Sequence, residues 1–294
     1  DRSVSRGLGD VYKRQVLGII IARLVAPSCY GLVAMLTIFI SIGQSLIDSG
    51  FANALIHKND CTEKDYSTVF YFNLVVSAVL YLLFFICSPL IADFYGQPEL
   101  VVITRYSTFG FILNSLAIVQ RAQFTKRMDF KRQSKATVSA VIVSGLVGVT
   151  MAYCGYGVWA LVFQGLINSL VNTISLWMMS SWRPSLVFSK ESFKELYAFG
   201  SRLLFTGLLS TVYINLYTLV IGKFFSSTQL GFFNKMQNIA VFPSRNITSI
   251  MSRAVYPKQC KLQDDNIALH DNYMQLLSLS SFLSLIHISE PTRH

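Results

Sequence analysis

The chain has 294 residues, 52% of them hydrophobic and only 14% charged, with a formal net charge of +10. A soluble domain usually carries about a quarter charged residues, so this composition excludes an ordinary soluble enzyme and points to the membrane. The positive charge sits in short connections between apolar runs, where orientation and anionic lipid headgroups account for it, and nucleic acid is not expected as a partner.

The opening residues 1–15 (DRSVSRGLGDVYKRQ) and the closing residues 284–294 (SLIHISEPTRH) resemble translated sequencing-adapter sequence and are set aside from fold reasoning. Each abuts a shortened apolar run, residues 16–25 and 273–283, so the chain reads as an internal fragment. Between them lie apolar runs at 31–51, 69–91, 101–119, 136–153, 158–180 and 203–224, followed by a more polar run at 230–256. Most approach the ~20 residues that span a bilayer core, and about eight crossings are expected.

The second run carries Thr37, Ser41, Gln44, Ser45 and Asp48 at three- and four-residue steps, one face of a helix. Asp48 reads either as a structural partner for a nearby base or as an ion-coupling group. Arg105 lies near the outer end of the fourth run, where snorkelling explains it. The fifth shows Ala136, Ala140, Ser144, Gly148 and Ala152 at strict four-residue spacing, a small-residue ridge for close helix packing. In the seventh, Arg202, Thr206, Ser210, Tyr213 and Tyr217 share a face. The eighth carries Asn234, Lys235, Asn238, Arg245, Thr248, Ser249 and Ser252 around Pro243, which removes a helical hydrogen bond and favours a kink.

Hydroxyl and amide side chains in such runs often serve only to join helices. A guanidinium is different: Arg245 falls well inside its run and needs a counterion, water or an anionic ligand there. It is therefore the first candidate for contact with an anionic headgroup. Asn238, Tyr213, Tyr217 and Arg202 are candidates for the polar remainder of a substrate. No catalytic residue, metal site or cofactor is expected. The sequence has no phosphate-cradling glycine loop, nucleophile elbow or HExxH, and its five cysteines form no CxxC pair. Cys29 and Cys154 fall in outward connections where a disulfide is topologically allowed, unpaired thiols being the simpler reading.

Basic residues fix the orientation. The connections at 57–65, 121–135, 180–202 and 253–272 hold fifteen lysines and arginines, whereas the alternate ones hold a single base, Lys223. By the positive-inside rule the basic connections face the cytoplasm. The chain also repeats itself. Ile21-Ala22-Arg23 and Tyr30-Gly31-Leu32 align without a gap on Ile221-Gly222-Lys223 and Leu230-Gly231-Phe232 (231 − 31 = 200). Two helices recur after six, in the same orientation, as parallel-repeat transporters require. The expected fold is an all-α polytopic membrane bundle. It comprises an N-terminal lobe at 16–181 with a truncated first helix, a cytoplasmic linker at 182–202 and the start of a second, parallel-repeat lobe at 203–283.

Several strings carry a resemblance: IARL at 21–24, YGLVAML at 30–36, DSGFANALI at 48–56, DYSTVFY at 65–71, QPEL at 97–100, GYGVWAL at 155–161, WRP at 182–184 and IGKFF at 221–225. With these the chain resembles the bacterial polysaccharide and oligosaccharide flippases of the multidrug/oligosaccharidyl-lipid/polysaccharide exporter superfamily. The resemblance implies two six-helix lobes around a cavity that alternates between leaflets of the bacterial inner membrane. It implies a cargo of undecaprenyl-pyrophosphate-linked oligosaccharide moved to the periplasmic leaflet for capsule, O-antigen, lipopolysaccharide or exopolysaccharide assembly. Membrane lipids and polysaccharide assembly proteins are the implied partners, and a proton or sodium ion is the coupling ion in some relatives. The chain departs from the pattern in stopping after the second helix of the second lobe. A multidrug antiporter of the same superfamily and a membrane-embedded glycan polymerase or ligase are the rival readings. The first should line its cavity with carboxylates, and the second should show a long outward loop.

Overall fold

A computed structural model describes residues 18, 20–48, 50–58, 60–241, 259 and 266–289. Pro243, Arg245, Thr248, Ser249 and Ser252 lie outside the described residues, among which every regular element is a helix. After a helical turn at 20–24 come α1 (Pro27–Asp48), α2 (Phe51–His57), α3 (Glu63–Tyr95), α4 (Leu100–Thr108), α5 (Gly110–Ser115), α6 (Ile118–Lys126), α7 (Phe130–Tyr153), α8 (Val158–Met179), α9 (Lys190–Phe224), α10 (227–241) and α11 (Asn266–Ser289). The chain divides into two compact units, Asp1–Pro243 and Ser244–His294. The second contains α11.

Local chemistry sets the helix ends. At the start of α3, Thr62 and Asp65 form a reciprocal capping box: Asp65 N donates to Thr62 Oγ1 at 3.3 Å and Thr62 N to Asp65 Oδ2 at 2.8 Å. At its end Gly96 takes φ 64°, a left-handed conformation that glycine adopts without steric cost. Gly50, at φ 68°, separates α1 from α2 in the same way.

Among the described residues five helical stretches are long and apolar enough to cross a membrane: Pro27–His57, Glu63–Tyr95, Phe130–Tyr153, Val158–Met179 and Gly200–Phe224. A sixth span results if the pair Leu100–Ser115 and Ile118–Lys126, bent by 44°, crosses as one. This is a multi-pass all-α membrane bundle.

Two elements differ from the sequence expectation. The run at 101–119, expected as one helix, is broken into α4, α5 and the start of α6. Hydroxyls within it bond carbonyls of their own preceding turn, Thr108 Oγ1 to Thr104 O at 2.8 Å and Ser115 Oγ to Ile112 O at 2.9 Å, and such bonds bend helices. Helix α9 begins at Lys190, inside the stretch expected to be a linker, because Ser189 caps it by accepting from Ser192 N at 3.2 Å.

The core lies where α1, α3, α4 and α5 meet α8, around Met35, Leu36, Ile47, Leu100, Ile103 and Phe111. The small-residue ridge of α7 packs on α8. Ala136, Ala140 and Ser144 are buried, Asn168 Nδ2 donates to Ser144 Oγ at 3.2 Å, and a Cβ at Gly148 would press on the Gln164 side chain at 3.1 Å. Cys29 and Cys154 are free thiols.

Candidate functional site at the seam of α1 and α9

Helices α1 and α9 run antiparallel and touch from one end to the other. At one end Gly222 faces Met35 and the Tyr95 ring, with room for no Cβ; midway Ser45 and Thr211 share a hydrogen bond of 3.0 Å; at the far end Gly50 meets the Gly200 backbone. The polar face of α1 lies half-buried in and beside this seam. Gln44 Nε2 donates to Asp48 Oδ1 at 3.4 Å and Asn114 Nδ2 to Gln44 Oε1 at 3.4 Å, both long bonds. The Arg121 guanidinium lies within electrostatic reach of Asp48. Asp48 therefore belongs to a chain of polar side chains linking α1, α5 and α6.

Other residues singled out in the sequence are placed differently. Arg202, Thr206, Ser210, Tyr213 and Tyr217 share a face of α9 turned away from α1, and Tyr213 and Tyr217 are 75% and 67% exposed. Thr206 Oγ1 bonds the Arg202 carbonyl at 3.1 Å. Asn238 is exposed on α10 and donates to Asn234 Oδ1 at 2.8 Å; no hydrogen bond joins it to the α9 stripe among the described residues. Lys235 sits 3.9 Å from the centre of the Tyr30 ring. Arg245 lies outside the described residues.

The repeat has a structural counterpart. A Cβ at Gly31 would strike the Ser227 carbonyl, and a Cβ at Gly231 would strike that of Pro27. Adding 200 to 31 and 27 gives 231 and 227, so the two contacts are copies of one another with the roles exchanged. Reciprocal contacts of this kind arise where two equivalent pieces meet about a two-fold axis.

A second cluster escaped sequence reasoning. At the basic end of the bundle, the segment before and at the start of α9 docks on the first turns of α3. Trp182 Nε1 donates to Glu63 Oε2 at 2.8 Å, Ser185 N to Ser67 Oγ at 3.1 Å and Ser189 N to Thr68 Oγ1 at 3.0 Å. Lys58 bridges the two elements, 2.8 Å from Glu195 and 3.2 Å from buried Asp65. Burial alone would lower the Lys58 pKa, but the hydrogen bonds with Glu195 and Asp65 outweigh it and hold the ammonium above its ordinary range. Phe51 fills the angle beneath, 5.0 Å from Phe72 and 5.8 Å from Phe193 between ring centres. The strings DYSTVFY, DSGFANALI and WRP thus meet in space. Their only trace in the sequence was that they also carried the resemblance.

Residues 20–286 match the model of the polysaccharide biosynthesis protein family. The chain is similar to the teichuronic acid biosynthesis protein TuaB of Bacillus subtilis (strain 168), at 26% identity over 249 residues, 83% of this chain and 51% of that protein. It is similar to the lipopolysaccharide biosynthesis protein WzxC of Escherichia coli (strain K12), at 26% identity over 90% of this chain and 54% of that protein. It is also similar to the succinoglycan biosynthesis transport protein ExoT of Rhizobium meliloti (strain 1021), at 21% identity over 91% and 53% respectively. The chain spans about half the length of these curated relatives. No solved structure matches it.

Proposed function

The chain belongs to the polysaccharide biosynthesis protein family, and from that premise we propose that the whole protein is a flippase. It carries an undecaprenyl-pyrophosphate-linked oligosaccharide from the cytoplasmic to the periplasmic leaflet of the bacterial inner membrane by alternating access. The observation that carries this reading is the α9 stripe, which turns Arg202, Ser210, Tyr213 and Tyr217 away from the packed seam. Helices that pack on one polar face and present a second need another polar surface opposite, and a wet groove supplies it. A relative named as a transport protein supports the same reading.

The mechanism follows from desolvation. A pyrophosphate carrying a glycan is too costly to bury in hydrocarbon, whereas a groove with fixed cations holds the anion while the polyprenyl tail stays in lipid. Arg245, from its place in the sequence, contacts the pyrophosphate, and Arg202 draws the anion towards the basic entrance. Tyr213 and Tyr217 stack on sugar rings, with Asn238 as a further hydrogen-bonding group. No bond is made or broken in the cargo, so the protein is not an enzyme. Asp48, its partner Gln44 and the Asn114 amide that bonds Gln44 in turn take part in coupling to a proton or sodium ion, and polysaccharide assembly proteins receive the product.

The test is surface-glycan export by cells that depend on the protein, with its membrane level measured in parallel. Arg245→Ala is expected to abolish export at normal protein levels and Arg245→Lys to retain part of it, since lysine keeps the charge but loses the bidentate fork. The double change Tyr213→Ala with Tyr217→Ala should lower export without lowering the protein. Full export by a normally expressed Arg245→Ala protein would remove the headgroup contact.

A further inference from the structure

Pro89 lies inside α3, and its missing N–H leaves the carbonyl four residues earlier, on Phe85, without its helical donor. The Ser88 hydroxyl takes that place, donating to Phe85 O at 2.8 Å, and accepts in turn from Arg105 Nε at 3.0 Å. The Arg105 Cζ atom stands 4.4 Å from the centre of the Phe85 ring. The guanidinium is thus fixed twice, by a hydrogen bond at one edge and by an aromatic ring against one face. Its terminal nitrogens carry no partner among the described residues, and it enters no ion pair there.

Depth identifies what those donors meet. Ser88 lies seven residues before Tyr95, the last of α3, and Arg105 five residues after Leu100, the first of α4. At 1.5 Å per residue both sit about 8 to 10 Å below their helix ends, where headgroups give way to acyl chains. The flanking surface is apolar and open: Leu82 and Phe85 on α3, Val102 on α4 and Phe109 just after it are 37% to 59% exposed. Asp93 and Glu99 lie at the outer end of the same seam and neither pairs with Arg105. A permanently charged guanidinium at this depth needs a counterion. Snorkelling would leave the side chain to find water by itself; here the proline break, the serine and the ring hold it in one pose.

We propose that the seam of α3 and α4 binds the phosphate of an anionic phospholipid, which accepts hydrogen bonds from the terminal nitrogens of Arg105 while its acyl chains lie along Leu82, Phe85, Val102 and Phe109. The site stands on contacts between α3 and α4 alone and is independent of the transported cargo. The lipid belongs to the leaflet on the side of the Gly96–Glu99 connection.

The test uses the purified protein, delipidated in an uncharged detergent and titrated with phosphatidylglycerol, phosphatidylcholine or inorganic phosphate, with bound lipid counted by native mass spectrometry. The first phosphatidylglycerol should bind at least about tenfold more tightly than phosphatidylcholine, and Arg105→Gln should remove that preference. Ser88→Ala keeps the charge and loses the orientation, so it should weaken the same step by about threefold or more. Arg105→Lys should fall between the wild type and Arg105→Gln, and serves in its place if Arg105→Gln does not fold. Equal first-step affinity for phosphatidylglycerol in the wild type and the Arg105 variant overturns the proposal. So does displacement of the lipid by inorganic phosphate at comparable concentration, which would make this a free-anion site.

Discussion

Gly31 and Gly231 each fill a position where a β-carbon would enter the backbone of the other repeat copy. Backbone gives way far less readily than the end of a side chain, so alanine at either position should cost about 1–3 kcal/mol by overpacking. Gly165 and Gly207 are the controls. Neither has a neighbour within 4 Å of its would-be Cβ among the described residues, and alanine there should be neutral or stabilising by up to about 1 kcal/mol through helix propensity. Thermal unfolding of the purified variants checks both halves. Wild-type stability in Gly31→Ala and Gly231→Ala would remove the reciprocal contact. The sequence alone made these two glycines visible, because the alignment at an offset of 200 paired them. It could not show that each lies against the other's preceding turn, since an alignment carries no information on which copies touch. Tyr213, Tyr217 and Arg202 were legible as a face, and helical period alone cannot tell which way a face turns.

The elements were legible where apolar runs were continuous and less so at their polar edges. Helix α3 has 33 residues and α9 has 35, each about 50 Å long against a hydrocarbon core of about 30 Å. The surplus is polar, so hydropathy cut both helices short, whereas the caps at Thr62 and Ser189 extend them. The docking of the α9 start on α3 lives in that surplus. Lys58 gives it a pH signature. Its pKa is raised in the folded protein, so its contribution is complete below the ordinary lysine value of about 10.4 and is lost as pH rises through the folded value. Lys58→Met should lower stability by about 1–3 kcal/mol at neutral pH, mostly because Asp65 is left buried without its cation. Glu195 is 60% exposed on its side chain and adds little. The gap between wild type and variant, followed by thermal unfolding, should narrow above about pH 10. A gap that stays constant to pH 12 would mean that Lys58 acts through packing.

For the whole molecule, the fifteen-to-one division of basic residues predicts that the connection between α6 and α7 is cytoplasmic and that Cys154 is periplasmic. In intact cells an impermeant thiol reagent should label exposed Cys154, while Phe130→Cys should react only after lysis. Labelling of position 130 but not of 154 would invert the topology. The docking of Trp182 on Glu63 also has a consequence in time. The two residues are 119 apart, which at ~5–20 residues per second separates their synthesis by about 6 to 24 s. Throughout that interval Glu63, in the first turn of α3, waits for a Trp182 not yet made, while Asp65 already has Thr62 and Lys58. Insertion of the early helices therefore cannot depend on this contact. The clamp closes late, once α7 and α8 have been synthesised.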